Sequence, residues 1–368
     1  MIHVAIIGAG IGAEHLAGYR ALPQRFRVRA VCDLDLARAQ VATGGDPGIA
    51  LTASLDTVLA DPEIDVIDIC LPPHLHVPVT LRVLAAGKHA ICEKPLAMSL
   101  AEVDQLEAAA KRTGRSVFPV FQYRYGRAMA QLQALIAAGL TGRAFAASLE
   151  THWHRDADYY AVPWRGTWAG EAGGAVLGHA IHAHDLMCHV LGPVAEVMAL
   201  AGTRVNPIET EDCAALSFRM ASGALATSSV TLGAADDTTR LRFCFEGLTA
   251  ESGRAPYAPA QDTWTFLARA PMQQAQIDAV AEAVPNTLAG FAGFLDAVAD
   301  ALSGRCGREV TLADGRQSIE LVTAIYASVR ERASIPVPLP RAARQYGGWM
   351  PDQTRITKSN QDKVEETE

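Results

Sequence analysis

The stretch GGAVLGHAIHAHDL, residues 173–186, holds His179, His182 and His184, with Asp185 directly behind them. At about 3.6 residues per helical turn, His179 and His182 lie on neighbouring faces, as do His182 and Asp185, while His184 points elsewhere. A metal site would draw on His179, His182 and Asp185, but helical HxxH without a recognisable further ligand is an incomplete zinc pattern. A proton-transfer site would use one imidazole as base, because its unperturbed pKa of about 6.5 lies near working pH. A third reading, histidines satisfied in the core or left at the surface, suits His184 and His189. No metal is expected.

Lys94 is the second candidate for chemistry. It stands in CEKPL at a strand end, just before a proline that fixes the turn. Pointed into a cleft, its ammonium would orient a substrate hydroxyl and lower that hydroxyl's pKa. The alternative is a surface lysine beside a turn.

These groups need elements to hold them. IHVAIIGAGIGAEHLAGYRAL reads as a buried strand (residues 2–7), a glycine turn and a helix. Gly8 and Gly10 permit a tight backbone, Gly12 and Ala13 let the helix pack close, and its N-terminus offers amides to a pyrophosphate. VRAVCDLD forms a second strand ending at Asp33, 20 residues after Ala13. An acid there binds the adenosine ribose 2′-OH and repels a 2′-phosphate. Leu34 follows rather than a basic residue, which favours NAD over NADP; Arg38, on the next helix, tempers that preference.

Strand signals at 66–71, 89–93 and 117–120 alternate with helix signals at 77–86 and after Ser99, where Glu102 completes a capping-box pattern. Such alternation predicts a parallel sheet with helices on both faces. LPPHLH sits at a strand's C-terminal end, where ligands bind in such sheets. Leu71, Pro72 and His76 are therefore expected cofactor contacts, with Ile11 of the glycine turn and Glu93 and Lys94 of CEKPL.

The second half reads differently. AFAASLETHWH, AEVMALAG, DCAALSFRM, GALATSSVTL and RLRFCFEG are strand signals, with a hairpin turn at MASGA. The histidine stretch reads as one helix entered through Gly173 and Gly174 and closed by Gly192. Residues 288–302 and 314–332 look helical, SIPVPLP ends helical structure, and a polar tail at 351–368 reads as flexible. An apolar exposed face on so strand-rich a sheet invites oligomerisation.

The 368 residues suit about two domains, and 49% hydrophobic with 20% charged residues is ordinary globular composition. A net charge of −8 argues against nucleic-acid binding, which needs a basic surface. Seven scattered cysteines without a CxxC pair fit reduced thiols in a cytoplasmic protein. No signal peptide and no apolar run long enough to span a membrane are visible.

The glycine turn with His15 close behind it, LPPHLH, AGKHAICEKPLA and PWRGTWAGEAGGAVLGHAIHAHDL together resemble the Gfo/Idh/MocA family. These are the glucose–fructose oxidoreductases, inositol dehydrogenases and their relatives, and the likeness covers about residues 1–335. The resemblance implies an α/β fold. A Rossmann-like NAD(P)-binding domain (1–122) precedes an α/β substrate-binding and oligomerisation domain (123–340) with a large, open, mostly antiparallel sheet. It further implies a homodimer or homotetramer formed through that sheet.

The activity it implies is hydride transfer between a nicotinamide cofactor and a secondary hydroxyl of a sugar, inositol or related polyol. His182 falls on the proton-transferring histidine of the family pattern GG…DxxxHxxD, and Lys94 orients the hydroxyl. The family's first aspartate falls on Gly178, a departure that His179 or Asp185 would have to fill. Expected substrate contacts are Tyr123, Arg124, His154, Arg155, Trp164, Arg165, His179 and Asp185; for Trp164, as for nearby Trp168, core anchoring is the alternative. The arginines also suit a carboxylate-bearing sugar. Two rivals stand beside the dehydrogenase. One is an enzyme with resident NAD that uses transient oxidation for glycoside cleavage or elimination. The other is a non-catalytic NAD sensor, against which the pairing of Lys94 with His182 argues.

Overall fold

Six short strands near the N-terminus are β1 (Ile2–Ile7), β2 (Phe26–Cys32), β3 (Ala50–Thr52), β4 (Val66–Ile69), β5 (His89–Cys92) and β6 (Val117–Pro119). All pair in parallel, in the order β3-β2-β1-β4-β5-β6. Helices cover both faces, so the central strands are apolar nearly throughout: Val4, Ala5, Ile6, Val66, Ile67 and Ile91 are fully buried. The order reverses between β1 and β4, and a crevice opens at the strand ends there. The computed structural model describes residues 1–351; all but the first residue of the expected polar tail lies outside the described residues.

A second sheet follows, made of β7 (Ala144–His154), β8 (Val194–Gly202), β9 (Cys213–Met220), β10 (Leu225–Thr231), β11 (Gly233–Phe245), β12 (Leu248–Glu251), β13 (Thr265–Ala268) and β14 (Ile335–Pro336). Its order is β13-β12-β11-β7-β10-β9-β8-β14, antiparallel except between β7 and β10. Alternation sorts the faces: Val197 and Ala199 are buried, whereas Met198, Leu200, Leu225 and Leu267 are exposed. No described helix is long and apolar enough to cross a membrane.

Local details depart from the sequence pattern in instructive ways. The helix expected from residue 77 spans Pro73–Ala85, because Pro73 sits in its first turn, where a missing N–H costs nothing. Ser99 Oγ accepts the Glu102 amide, but Glu102 reaches past Ser99 to the amide of Met98. The histidine stretch is not one uniform helix: a π-helical turn at Val176–Ala180 precedes the α-helix Ile181–Leu191.

The helix Leu312–Glu331 packs against β8 and also against β6 and the helix Leu100–Thr113. Gly315 makes the second contact close, since a Cβ there would lie 2.6 Å from side-chain atoms of Leu96 and Pro119. The chain then folds back, and the buried Trp349 indole N–H donates to the Ala172 carbonyl at 2.7 Å.

Candidate active site

A cleft of about 1430 Å³ runs from the glycine turn across the strand ends to the histidine helix. Gly8 (φ +97°) makes the turn that opens it. A Cβ at Gly8 would lie 2.2 Å from the Cys70 carbonyl oxygen, so only glycine lets β1 and β4 approach there. Gly10 has open space where its side chain would be, and it lines the cleft with Ile11 at the start of the helix Gly12–Arg20. Gly12 lies behind this wall and packs toward Ile6 and Cys70. A bare backbone at a helix N-terminus suits a pyrophosphate, so the residues present fit a dinucleotide.

Asp33 stands at the end of β2 in the same cleft. Its carboxylate accepts from the amides of Ala9 (2.7 Å) and Asp35 (2.8 Å) and from both Nε (3.1 Å) and a terminal nitrogen (2.6 Å) of Arg38. Burial opposes ionisation, but Arg38 and the two amides prevail and hold its pKa below the usual carboxylate range. The sequence places an acid for the ribose; the structure adds that Arg38 already covers it.

Leu71 and Pro72 line the cleft, whereas His76 does not. Fully buried, His76 bridges the carbonyls of Leu71 (2.7 Å) and Pro95 (2.6 Å) and ties together the turns that carry Pro72 and Lys94. Glu93 and Lys94 both reach the cleft from the end of β5. Behind Glu93 lies a network not foreseen from sequence. The two nitrogens of His15 meet Asp68 (2.9 Å) and Glu93 (3.0 Å), and the Tyr19 hydroxyl donates to Asp68 (2.9 Å). Burial would lower the His15 pKa, but Asp68 and Cys70 together outweigh it and raise it well above the ordinary value. Burial likewise works against the Glu93 charge, yet His15 holds that pKa down to about 2. His15, Asp68 and Cys70 are near enough to share an ion, but both imidazole nitrogens are already committed to carboxylates.

The Lys94 ammonium donates to the Gly178 carbonyl at 2.9 Å, joining β5 to the π-helical turn. His182, one turn on, is buried and faces the same cleft. Its ring stacks on Tyr123 (centroids 4.4 Å apart, 21° between planes) and meets the edge of Phe121 at 6.0 Å. Its Nδ1 has no hydrogen-bond partner among the described residues, so packing rather than a carboxylate orients it. Burial, then the Lys94 cation, pushes its pKa down to about 3. His179 also lines the cleft, edge-on to Trp153 at 5.3 Å, with an Nδ1 that is unpartnered among the described residues. Burial, then Lys94 and Arg155, holds it well below the ordinary value. Both imidazoles are therefore neutral at pH 7 and able to accept a proton.

Of the other expected substrate contacts, Tyr123, Trp164 and Arg165 line the cleft. Arg124 and Asp185 do not. They form a buried two-pronged ion pair (2.8 and 2.6 Å), and Arg124 also reaches Asp314 at 3.0 Å, so both Asp185 oxygens are spent on Arg124. His154 is exposed, with its ring against the Ala234 carbonyl. Arg155 stands one layer back, paired with Asp237 at 3.1 Å and lying over Trp153 and Tyr257. His184 bonds Ser228 at 3.0 Å on the helix's far side.

Sequence reading passed over Glu211. Its buried carboxylate accepts the amides of Gly174 and Val176 (each 3.1 Å) and the Tyr326 hydroxyl (2.9 Å), fixing the start of the histidine segment. Burial raises its pKa to about 7. Asp68 was the more legible signal, as a lone acid inside the apolar run VIDIC.

The N-terminal part, residues 2–121, matches the model of an oxidoreductase family with an NAD-binding Rossmann fold, and residues 129–251 match that family's C-terminal domain. An uncharacterized oxidoreductase of Synechocystis is 28% identical over 59% of this chain and 62% of its own length. The levoglucosan dehydrogenase of Pseudarthrobacter phenanthrenivorans is 26% identical over 67% of this chain and 71% of its own. The first of these alignments thus spans about three fifths of the relative. Among solved structures, the WlbA dehydrogenase of Bordetella pertussis, in complex with NADH and UDP-GlcNAcA, superposes with a TM-score of 0.79 at 28% identity. That match covers 92% of this chain and 99% of the other. The two domain matches and the fold they share with this dehydrogenase show that the chain belongs to the Gfo/Idh/MocA family of NAD-binding oxidoreductases.

Proposed function

We propose that the protein is an NAD-dependent dehydrogenase acting on a secondary hydroxyl of a sugar or related polyol. The observation that carries this reading is the convergence of Lys94 and His182 in one cleft with the glycine turn and Asp33. Bound along that cleft, oxidised nicotinamide supplies a hydride acceptor. The remaining steps belong to the chain. Lys94 holds the substrate hydroxyl and stabilises negative charge on its oxygen. His182, neutral at pH 7, takes the hydroxyl proton and returns it in the reverse direction. Tyr123, Trp164, Arg165 and His179 surround the substrate, aromatic faces beside hydrogen-bonding groups, as suits a sugar ring. The names of the levoglucosan dehydrogenase relative and of WlbA, solved with a nucleotide sugar, support this substrate class. The exposed apolar residues of the second sheet support assembly of two or more copies through that face.

The test is NADH formation from NAD with sugars, inositols, sugar acids and anhydrosugars, with NADP in parallel. Net NADH from one group is the expected result. Bond cleavage or elimination without net NADH would favour resident NAD and transient oxidation instead, a reading to which the missing carboxylate at Gly178 lends weight.

A further inference from the structure

Arg165 differs from the other arginines around the cleft. Arg155 is paired with Asp237 and Arg124 with Asp185, while Arg38 covers Asp33. Arg165 has no carboxylate within 4.0 Å among the described residues. One terminal nitrogen donates to the Tyr159 carbonyl at 3.1 Å, and its Nε is buried with no partner among the described residues. The guanidinium lies 4.0 Å from the centre of the Tyr159 ring and 5.6 Å from that of Trp164, so its plane is held by stacking. A guanidinium held by stacking in a cleft wall, with no carboxylate of the described residues paired to it, leaves its charge for an anionic ligand.

Its surroundings are cationic. Lys94, Arg155 and Arg165 all act on the His179 imidazole, and Asp237 opposes them. Glu171, whose carboxyl feels the Arg165 charge, is occupied by the Gly166 amide at 2.5 Å, and burial disfavours its ionisation.

We infer that Arg165 is the receptor for a carboxylate on the substrate, making the preferred substrate class a sugar acid, uronic or aldonic, over its neutral parent. The shared chemistry is an oxyanion. A single guanidinium with Glu171 close by suits a monoanion, hence a carboxylate over a phosphate dianion. The planar fork matches a carboxylate's two oxygens. This inference rests on the dehydrogenase reading for the identity of the cleft, and it names the group the substrate must carry.

The experiment is calorimetric binding to the NAD-loaded protein, alongside NADH formation. The probes are D-glucuronate and D-galacturonate, each beside its neutral hexose, with glucose 6-phosphate as the phosphate arm. At least one acid is expected to bind about 30-fold or more tightly than its hexose. Arg165→Ala is expected to erase that ratio and Arg165→Lys to restore part of it, because the charge survives without the fork. Tighter binding of glucose 6-phosphate, equal binding of acid and hexose, no binding of either acid, or an acid preference surviving Arg165→Ala would each overturn the inference. Arg165-dependent binding of an acid without NADH would sink the dehydrogenase reading and leave the carboxylate receptor standing. NADH from neutral polyols with no preference for acids would do the reverse.

Discussion

The Lys94 ammonium and the Gly178 carbonyl lie 2.9 Å apart, one at the end of a strand of the first sheet and the other in the turn that leads into the histidine helix. The family pattern places an aspartate at Gly178, and this chain offers a peptide oxygen in its place. A carbonyl can orient an ammonium but cannot neutralise it. The positive charge therefore remains available to a developing alkoxide, and the same charge helps depress His182.

Lys94→Met should lower kcat by about 10²- to 10³-fold, the scale of losing one charge-stabilising donor. Dinucleotide affinity should change only a few-fold. His182→Ala should likewise depress turnover and spare dinucleotide binding. In Lys94→Met the His182 pKa should move upward from about 3, since a depressing cation is gone. Histidine NMR titration and dinucleotide calorimetry check both variants. A large loss of dinucleotide affinity in either would remove the assigned role.

A Cβ placed on Gly178 meets no atom within 4 Å outside its own helical backbone among the described residues, and its φ is not left-handed. Gly178→Ala should therefore stabilise the fold by about 0.5–1 kcal/mol, through reduced freedom of the unfolded chain. Gly178→Asp should fold as well and set a carboxylate beside Lys94, raising the pKa values of His179 and His182. Thermal denaturation reads the first effect and histidine titration the second. Misfolding of the alanine variant would mean that the space is not free.

Arg38 holds both oxygens of Asp33, so a ribose 2′-OH must share or displace it. Arg38→Ala should leave NAD affinity within about threefold and weaken NADP about tenfold, as one exposed phosphate-facing cation would. Asp33→Ala should weaken NAD and narrow its advantage over NADP. Titrations with both dinucleotides decide this. NADP affinity unchanged by Arg38→Ala would place that side chain outside the 2′-phosphate position.

His15 is clamped between two buried carboxylates, so His15→Gln strands negative charge and should cost about 3–5 kcal/mol, the usual penalty for breaking a buried pair. The pH dependence has a definite sign. The folded Glu93 pKa is depressed to about 2, so its contribution is present above the ordinary carboxyl value and disappears as pH falls toward 2. The folded His15 pKa is raised, so its contribution is complete below the ordinary imidazole value and disappears only as pH rises through the raised one. Urea unfolding across pH should show a shallower acid limb in His15→Gln than in the wild type. Identical limbs would mean that His15 does not set the Glu93 charge.

Much of the first sheet is legible because it depends on local patterns. Glycine at Gly8, the acid at the end of β2 and the apolar strands each leave a mark in one short stretch. The cleft is harder to read because it gathers side chains from distant segments. Arg124 and Asp185 look polar and near the histidines, yet each finds its partner in the other, 61 positions apart. His154 is the exposed last residue of β7, and Arg155, next in the chain, is absorbed by Asp237. The π-helical turn has no signature in hydrophobic period, and only a fold shows that Gly178 presents its carbonyl where a side chain is expected.

The helix Leu312–Glu331 touches both sheets, and Gly315 seats it against Leu96 and Pro119. The gene is thus less modular than its motif order suggests. A segment ending near residue 122 would encode the glycine turn, Asp33 and Lys94, but would leave bare the side of β6 that this late helix covers. An element made long after the first sheet thus completes its packing, so dinucleotide binding should emerge only once residues 312–331 have been synthesised.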